Sequence, residues 1–359
     1  MIELWNNQIT EQEIGLVVDA INNRNISEGN VAKVFVNKLV EMLDTKYALL
    51  TPNGTSALTL ALMGVGIEPG DEVIVPDITF IATANAAKIL GAKVVVCDTE
   101  KERPLMDYEK VLELITDKTK AIIPVHLNGR RACTKELKQA IKEKNIAIID
   151  DACQAFMSGV SGNWMGNDAD IGCYSFGITK TLTTGQGGLV ITKSKKLFDK
   201  MQQIKLQGVD SIFECSNYIQ NGFNFKMTDI LASIGIGQLD RIQEKKEHEW
   251  KIWNEYKKGL EDIDSIRFIP RRNEELPWMT EIICDNRDKV RFLLRREGID
   301  SRPIGHPLHE ANYIERRGSY INSSKIVDKI LYLPSGPNQN IENVKKVIEI
   351  LQKNKKDLV

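Results

Sequence analysis

Apolar residues recur along the chain at two alternating spacings, and the alternation predicts a fold class. Between Glu11 and Asn22, the residues Ile14, Val17, Val18 and Ile21 fall on one helical face, and Val31 to Leu43 repeats the pattern. Tyr47 to Thr51 reads as a buried strand, followed by a turn at Pro52-Asn53-Gly54-Thr55 and a helix from Ser56 to Met63. Apolar runs at Glu72–Val75, Lys93–Cys97, Thr119–Pro124, Ile146–Asp150, Ile171–Phe176 and Gly188–Thr192 predict further strands. Helical patterns such as Ala82–Leu90 and Glu136–Lys144 separate several of them. This predicts an α/β fold with a mostly parallel sheet covered on both faces.

The texture changes after Gln238. Asp240 to Leu260 is long, charged and helical, and beyond it strands at Arg267–Ile269 and Met279–Ile283 alternate with helices at Asp288–Glu297 and Ile341–Lys353. The expected division is a large domain over residues 1–240 and a smaller C-terminal α+β domain over residues 241–359. Composition narrows the function. The 359 residues carry 48 Lys and Arg against 49 Asp and Glu, a balance that argues against nucleic acid as a partner. No apolar run is long enough to span a membrane, and the first residues lack the pattern of a signal peptide, so a cytoplasmic protein is expected. Six scattered cysteines without a Cys-x-x-Cys pair fit reduced thiols.

Candidate chemistry begins at Ile148-Ile149-Asp150-Asp151, where two carboxylates end an apolar strand. Parallel α/β sheets place ligand-binding groups there, although Asp151 also suits a helix cap. Lys180 sits farther on in a loop rich in glycine and hydroxyl side chains, between two apolar strands. A partly desolvated lysine has a depressed pKa and can form a Schiff base. An acid to pair with a pyridinium nitrogen is the other half of a pyridoxal phosphate site. Asn53-Gly54-Thr55-Ser56 before a helix offers amides and hydroxyls to a phosphate, and is also an ordinary capping sequence. Phe80, just past a strand end, is placed to stack on a ring.

In order and spacing these segments resemble the DegT/DnrJ/EryC1/StrS group of pyridoxal-phosphate sugar aminotransferases. The resemblance runs from about Ile26 to about Leu351. It is carried by Asn53-Gly54-Thr55-x-Ala57-Leu58, Val75-Pro76-x-x-Thr79-Phe80-x-Ala82-Thr83, Pro124-Val125-His126-Leu127-x-Gly129, Asp150-Asp151-Ala152-x-Gln154-Ala155 and Ser175-Phe176-x-x-Thr179-Lys180. Later come Gly222-Phe223-Asn224-Phe225, Gly237-Gln238-Leu239, Pro307-Leu308-His309 and Leu333-Pro334. The resemblance implies the aspartate-aminotransferase fold (fold type I), with a seven-stranded sheet in the large domain.

Roles follow from it position by position. Lys180 matches the Schiff-base lysine and proton shuttle, and Asp151 the acid at the pyridine nitrogen. Gln154 matches a residue near the phenolic oxygen, and Phe80 the stacking aromatic. Gly54, Thr55, Ser56 and Ser175 match the phosphate cradle. Asn224 matches an asparagine reaching from the neighbouring subunit, which implies a homodimer with shared sites. The implied reaction moves an amino group, with L-glutamate as donor, to a keto group of a nucleotide-linked deoxysugar. Tyr332-Leu333-Pro334-Ser335-Gly336 and Leu276-Pro277-Trp278-Met279 lean toward relatives making GDP-perosamine-type 4-amino sugars.

Five residues at four places depart from the family pattern. Gln186 replaces a glutamate, Lys226 an arginine, Phe156-Met157 a His-Gly pair, and Asn128 a tyrosine. They are expected to line the substrate side of the pocket, as Arg302 and His309 are expected to approach the substrate. The segment from Val209 to Gln220 is compact for a loop that contacts a nucleotide. The alternatives are an acceptor that is a small phosphorylated ketone, or a regulatory protein that binds the cofactor without turnover. The four histidines show no metal-ligand spacing, and no metal is expected.

Overall fold

A computed structural model describes residues 1–209 and 217–358. Cys215 and most of the segment from Val209 to Gln220 lie outside the described residues. The large sheet is built from β1 (Tyr47–Thr51), β2 (Glu72–Pro76), β3 (Lys93–Cys97), β4 (Thr119–Ile122) and β5 (Ala147–Asp151). A two-residue-armed hairpin follows, β6 (Gly159–Val160) and β7 (Asn163–Trp164), and then β8 (Ile171–Ser175) and β9 (Gly188–Thr192) complete the sheet. Its seven strands run in the order β1-β9-β8-β5-β4-β2-β3. All neighbours pair parallel except those of β9, which is antiparallel to both β1 and β8. The central strands are buried on both faces, as their unbroken Val/Ile/Leu runs require.

The helices covering this sheet are α1 (Glu11–Asn22), α2 (Asn30–Leu43), α3 (Gly54–Val65), α4 (Ala82–Lys88), α5 (Tyr108–Leu114), α6 (Thr134–Ala140), α7 (Lys195–Lys205) and α8 (Asp229–Asp240). Helix α3 is buried almost all round by small and aliphatic residues, Ala57, Leu58, Leu60, Ala61 and Leu62. Asn53 caps it by accepting from the Ser56 amide at 2.8 Å, and Gly66 ends it in the left-handed region at φ +79°. The long charged run is one helix, α9 (Ile242–Leu260), separated from the apolar α8 by Arg241.

Four short antiparallel strands form a second sheet, ordered β10-β11-β13-β12: β10 (Ile266–Phe268), β11 (Thr280–Cys284), β12 (Arg302–Pro303) and β13 (Ile330–Leu333). With it go α10 (Arg287–Arg296), α11 (Ile321–Val327) and α12 (Ile341–Lys353). Its core joins Ile252, Tyr256 and Leu260 of α9 to Val344, Val347 and Leu351 of α12, and Ile2 from the chain start packs in the same cluster.

Helix α1 turns its apolar face outward. Ile14, Val18 and Ile21 are exposed, and the buried positions are Glu13 and Ala20. A polar contact decides the packing. The Glu13 carboxylate accepts from Gln238 at 2.7 Å and Arg241 at 2.5 Å, and from both the amide and the hydroxyl of Thr10, which closes a capping box. Burial by itself would raise the Glu13 pKa, but these hydrogen bonds outweigh it and hold the group at about 2. The folded-state pKa is depressed, so the stabilisation is present above the ordinary value of 4.5 and is lost as pH falls toward 2. Glu13→Gln should therefore flatten the acid limb. Between pH 6 and pH 3 its urea midpoint should fall less than that of the unmodified protein, the single group contributing at most about 1.4 kcal/mol per pH unit.

Candidate active site

The C-terminal ends of β1, β2, β5 and β8 open on one cavity of about 940 Å³, and the start of the reversed strand β9 shares that edge. Its wall includes Gly54, Thr55, Phe80, Thr83, Asp151, Gln154, Ser175, Lys180 and Arg302. Apart from Arg302, which comes from a short antiparallel strand, these come from segments far apart in sequence, brought together because the parallel strands deliver their following loops to the same side.

Strand β5 sends its two terminal carboxylates to different places. Asp150 takes a hydrogen bond from the Thr134 hydroxyl at 2.5 Å and lies 3.1 Å from His126 Nε2, away from the cavity wall. Asp151 faces the cavity, accepting from the Thr83 hydroxyl at 2.7 Å and the Cys153 amide at 3.1 Å. Thr83 in turn shares a hydrogen bond with the Thr79 hydroxyl at 2.9 Å. The alternation of a strand is what separates neighbouring residues in this way. Thr83 had no role in the sequence reading, because a threonine inside an alanine-rich helix carries no signal of the carboxylate it meets.

Gly54 opens α3 where no side chain fits: a Cβ there would lie 2.8 Å from Cys153 Sγ and 2.9 Å from Ser175 Cβ. Ser56 is tied to the Asn53 cap, and the first amides of the helix remain as donors toward the cavity. Ser175 ends β8 beside them, and its hydroxyl accepts from the Gly177 amide at 3.3 Å. Gly188 sits on the same row of the sheet as Thr51 and Ser175, with the Asn53 carbonyl 2.4 Å from where its Cβ would stand. The backbone is thus drawn tight around a small anion-sized recess at a helix N-terminus.

Burial pulls the Lys180 pKa down, only partly offset by nearby Asp151. Among the described residues no hydrogen-bond acceptor takes its amine, which lies 4.2 Å from the centre of the Trp278 ring. The Cys153 and Cys173 thiols are pushed far up by burial and stay protonated. Gln154 Oε1 accepts from the Asn128 amide at 2.9 Å. Arg302 is exposed on the wall, its guanidinium 5.5 Å over Tyr332, and has no carboxylate partner among the described residues.

Other expected positions lie elsewhere. His309 is off the wall, with its ring stacked on Tyr320 and Nδ1 bound to buried Asp77 at 2.7 Å; His306 lines the cavity instead. Asn224 is exposed and outside this chain's own cavity, while Phe80, on the wall, is 68% exposed. Of the departures from the family pattern only Gln186 reaches the wall. Phe156 packs edge-on against Tyr174 and Phe176 in the core. Asn128, left-handed at φ +53°, clasps Met279 by accepting from its amide at 2.7 Å and donating to its carbonyl at 2.9 Å. The same loop sends Arg130, 1% exposed, to the carbonyls of Ile269 and Pro270 and to the Glu281 carboxylate.

A lysine amine, a buried carboxylate, an aromatic and a side-chain-free anion recess on one cavity fit pyridoxal phosphate, and with this fold they define a cofactor-dependent transferase. The family model for the DegT/DnrJ/EryC1/StrS aminotransferase family matches residues 7–352. A GDP-perosamine synthase of Escherichia coli O157:H7 is 33% identical over 353 residues, covering 97% of each chain. Another from Vibrio cholerae is 29% identical, covering 98% of each. The solved structure of the aminotransferase TlmJ from Streptoalloteichus hindustanus superposes with a TM-score of 0.95 at 25% identity over 100% of both chains. The chain belongs to the DegT/DnrJ/EryC1/StrS aminotransferase family. It is an aminotransferase with pyridoxal phosphate as its cofactor. No helix among the described residues is long and apolar enough to cross a membrane.

Proposed function

We propose that this aminotransferase passes an amino group from L-glutamate to the keto group of a GDP-linked deoxysugar, giving a perosamine-type 4-amino sugar. The observation that carries the acceptor is the match to GDP-perosamine synthases along nearly the whole chain, from more than one organism. The bound cofactor supplies an electron sink that takes up the pair released at the carbon carrying nitrogen. Lys180 holds the cofactor through Nζ and, when freed, moves the proton between the two ends of the reacting system. Asp151, fixed by Thr83, pairs with the ring nitrogen. Gln154, oriented by the Asn128 amide, reaches the phenolic oxygen, and Phe80 stacks on the ring. Gly54, Thr55, Ser56 and Ser175 hold the phosphate. Arg302, a cation on the wall with no carboxylate partner among the described residues, is suited to a substrate anion.

The acceptor is tested by loading the enzyme with glutamate and adding GDP-, UDP- and dTDP-linked keto-sugars and small keto-phosphates. Return of the oxidised cofactor's absorbance with the GDP-sugar is the expected result. Return only with a keto-phosphate would replace this acceptor.

A homodimer with shared sites is part of the proposal. Exposed Phe80 at the cavity, the exposed apolar stripe of α1 and the remote Asn224 support it. Lys180→Ala and Asn224→Ala proteins, each inactive, should regain about a quarter of normal activity when unfolded together and refolded as mixed dimers. One site in each hybrid then has both native residues. No recovery would place Asn224 in the same chain's site.

A further inference from the structure

Three consecutive carbonyl groups of the Lys180 loop are each captured by a side chain from a different part of the chain. Trp278 Nε1 donates to the Thr179 carbonyl at 2.6 Å, Asn7 Nδ2 to that of Lys180 at 2.9 Å, and Lys245 Nζ to that of Thr181 at 3.2 Å. Lys245 also donates to Asn7 Oδ1 at 2.9 Å, so two of the three donors are linked. Trp278 stands just before β11, is 6% exposed, and is braced by Trp5 at 5.8 Å between ring centres. It therefore meets Lys180 twice: through the preceding backbone carbonyl and, with its ring face, at the amine.

We propose that Trp278 is a positioning residue for Lys180: its Nε1 fixes the carbonyl before the lysine, and its indole face seats the protonated lysine amine when that amine is not bonded to the cofactor. This rests on the reading of Lys180 as the lysine that holds the cofactor. A freed lysine on a four-carbon stem has many rotamers, and only some keep it beside the reacting carbons. A carboxylate placed to collect it would form a directional ion pair and retain its proton. An indole face attracts the ammonium without a directional bond and has no such hold on the neutral amine. The attraction opposes the burial that favours the neutral form. The ammonium is thus held beside the ring, and loss of its proton releases it toward the reacting carbons.

The test uses the apoprotein, in which the Lys180 amine is free. The pH dependence of its acetylation, followed by peptide mass spectrometry, gives its apparent pKa. Trp278→Leu should lower that value by about one unit, the size of a lost cation–π contact. Protein made with fluorinated tryptophan keeps the ring's volume but weakens its negative face, and should show a smaller shift in the same direction. Trp278→Phe, which keeps a ring and loses the donor, should lower kcat with the amino-donor KM nearly unchanged. An unaltered Lys180 pKa in both the leucine and the fluorinated proteins would overturn the seat, and an unaltered kcat in the phenylalanine variant would overturn the backbone anchor. Failure of the underlying lysine reading shows separately, as cofactor still fixed by borohydride in Lys180→Ala protein.

Discussion

Lys180→Ala protein should lose transamination by on the order of 10⁴-fold or more, because one substitution removes both the covalent anchor and the proton carrier. The fold should survive: Lys180 is only partly buried, and what its neighbours use is its carbonyl, which alanine retains. Pyridoxal phosphate should still enter the cavity, since the recess at Gly54 and Ser175 is untouched. Borohydride treatment followed by denaturation should leave cofactor attached to the unmodified protein and none to the variant. Cofactor fixed to the variant would assign the attachment to another lysine.

Asp151→Asn is expected to separate binding from chemistry. The asparagine keeps the shape and can still accept from the Cys153 amide, while the Thr83 hydroxyl can turn to accept from the new amide. What is lost is the negative charge opposite the ring nitrogen. Breaking a buried ionic pair of this kind costs about 3 kcal/mol or more, so the half-reaction with glutamate should slow by on the order of 10²-fold. Stopped-flow absorbance with glutamate alone measures it without the sugar acceptor. A rate close to normal in protein that holds its cofactor would remove Asp151 from the electron-sink role.

The parts of the fold legible in the sequence were those in which burial and local pattern agree. Buried parallel strands such as Glu72–Pro76 and Lys93–Cys97 read as unbroken apolar runs. Helix α8 escaped because Gly235 and Gly237, poor helix formers, occupy its middle. They are there for close packing: a Cβ on Gly235 would lie 2.4 Å from the Phe35 ring, and one on Gly237 would lie 2.8 Å from Glu13 Cγ. Helix α1 and its apolar face were legible, but not which face is buried, since no periodicity reports that Glu13 will be satisfied by Arg241 and Gln238 more than 220 positions away. The site shows the same division. Lys180, Asp151 and the Gly54 turn announce themselves by residue type in a loop, whereas Thr83, Trp278 and Asn128 act through partners that only the folded chain supplies. His309 was drawn in by its motif, yet Asp77, distant in sequence, takes its ring away from the cavity.

The clasp between Asn128 and Met279, with Arg130 reaching Ile269, Pro270 and Glu281 beside it, bears on how substrates come and go. These bonds tie the loop after β4 of the large sheet to the start of β11 and the segment after β10 in the small one, and rotating one sheet against the other would strand several buried polar groups together. Hinge closure is therefore a costly route to exclude water. The opposite side is held as well: Leu308 and His309 are buried between the exposed wall residues Gly305, His306 and Asn312, and their amides donate to the Asp77 carbonyl and carboxylate at 2.8 Å. Both sides of the cavity are therefore tied to the large sheet before any substrate arrives, and an acceptor has to fit an outline that folding has already drawn.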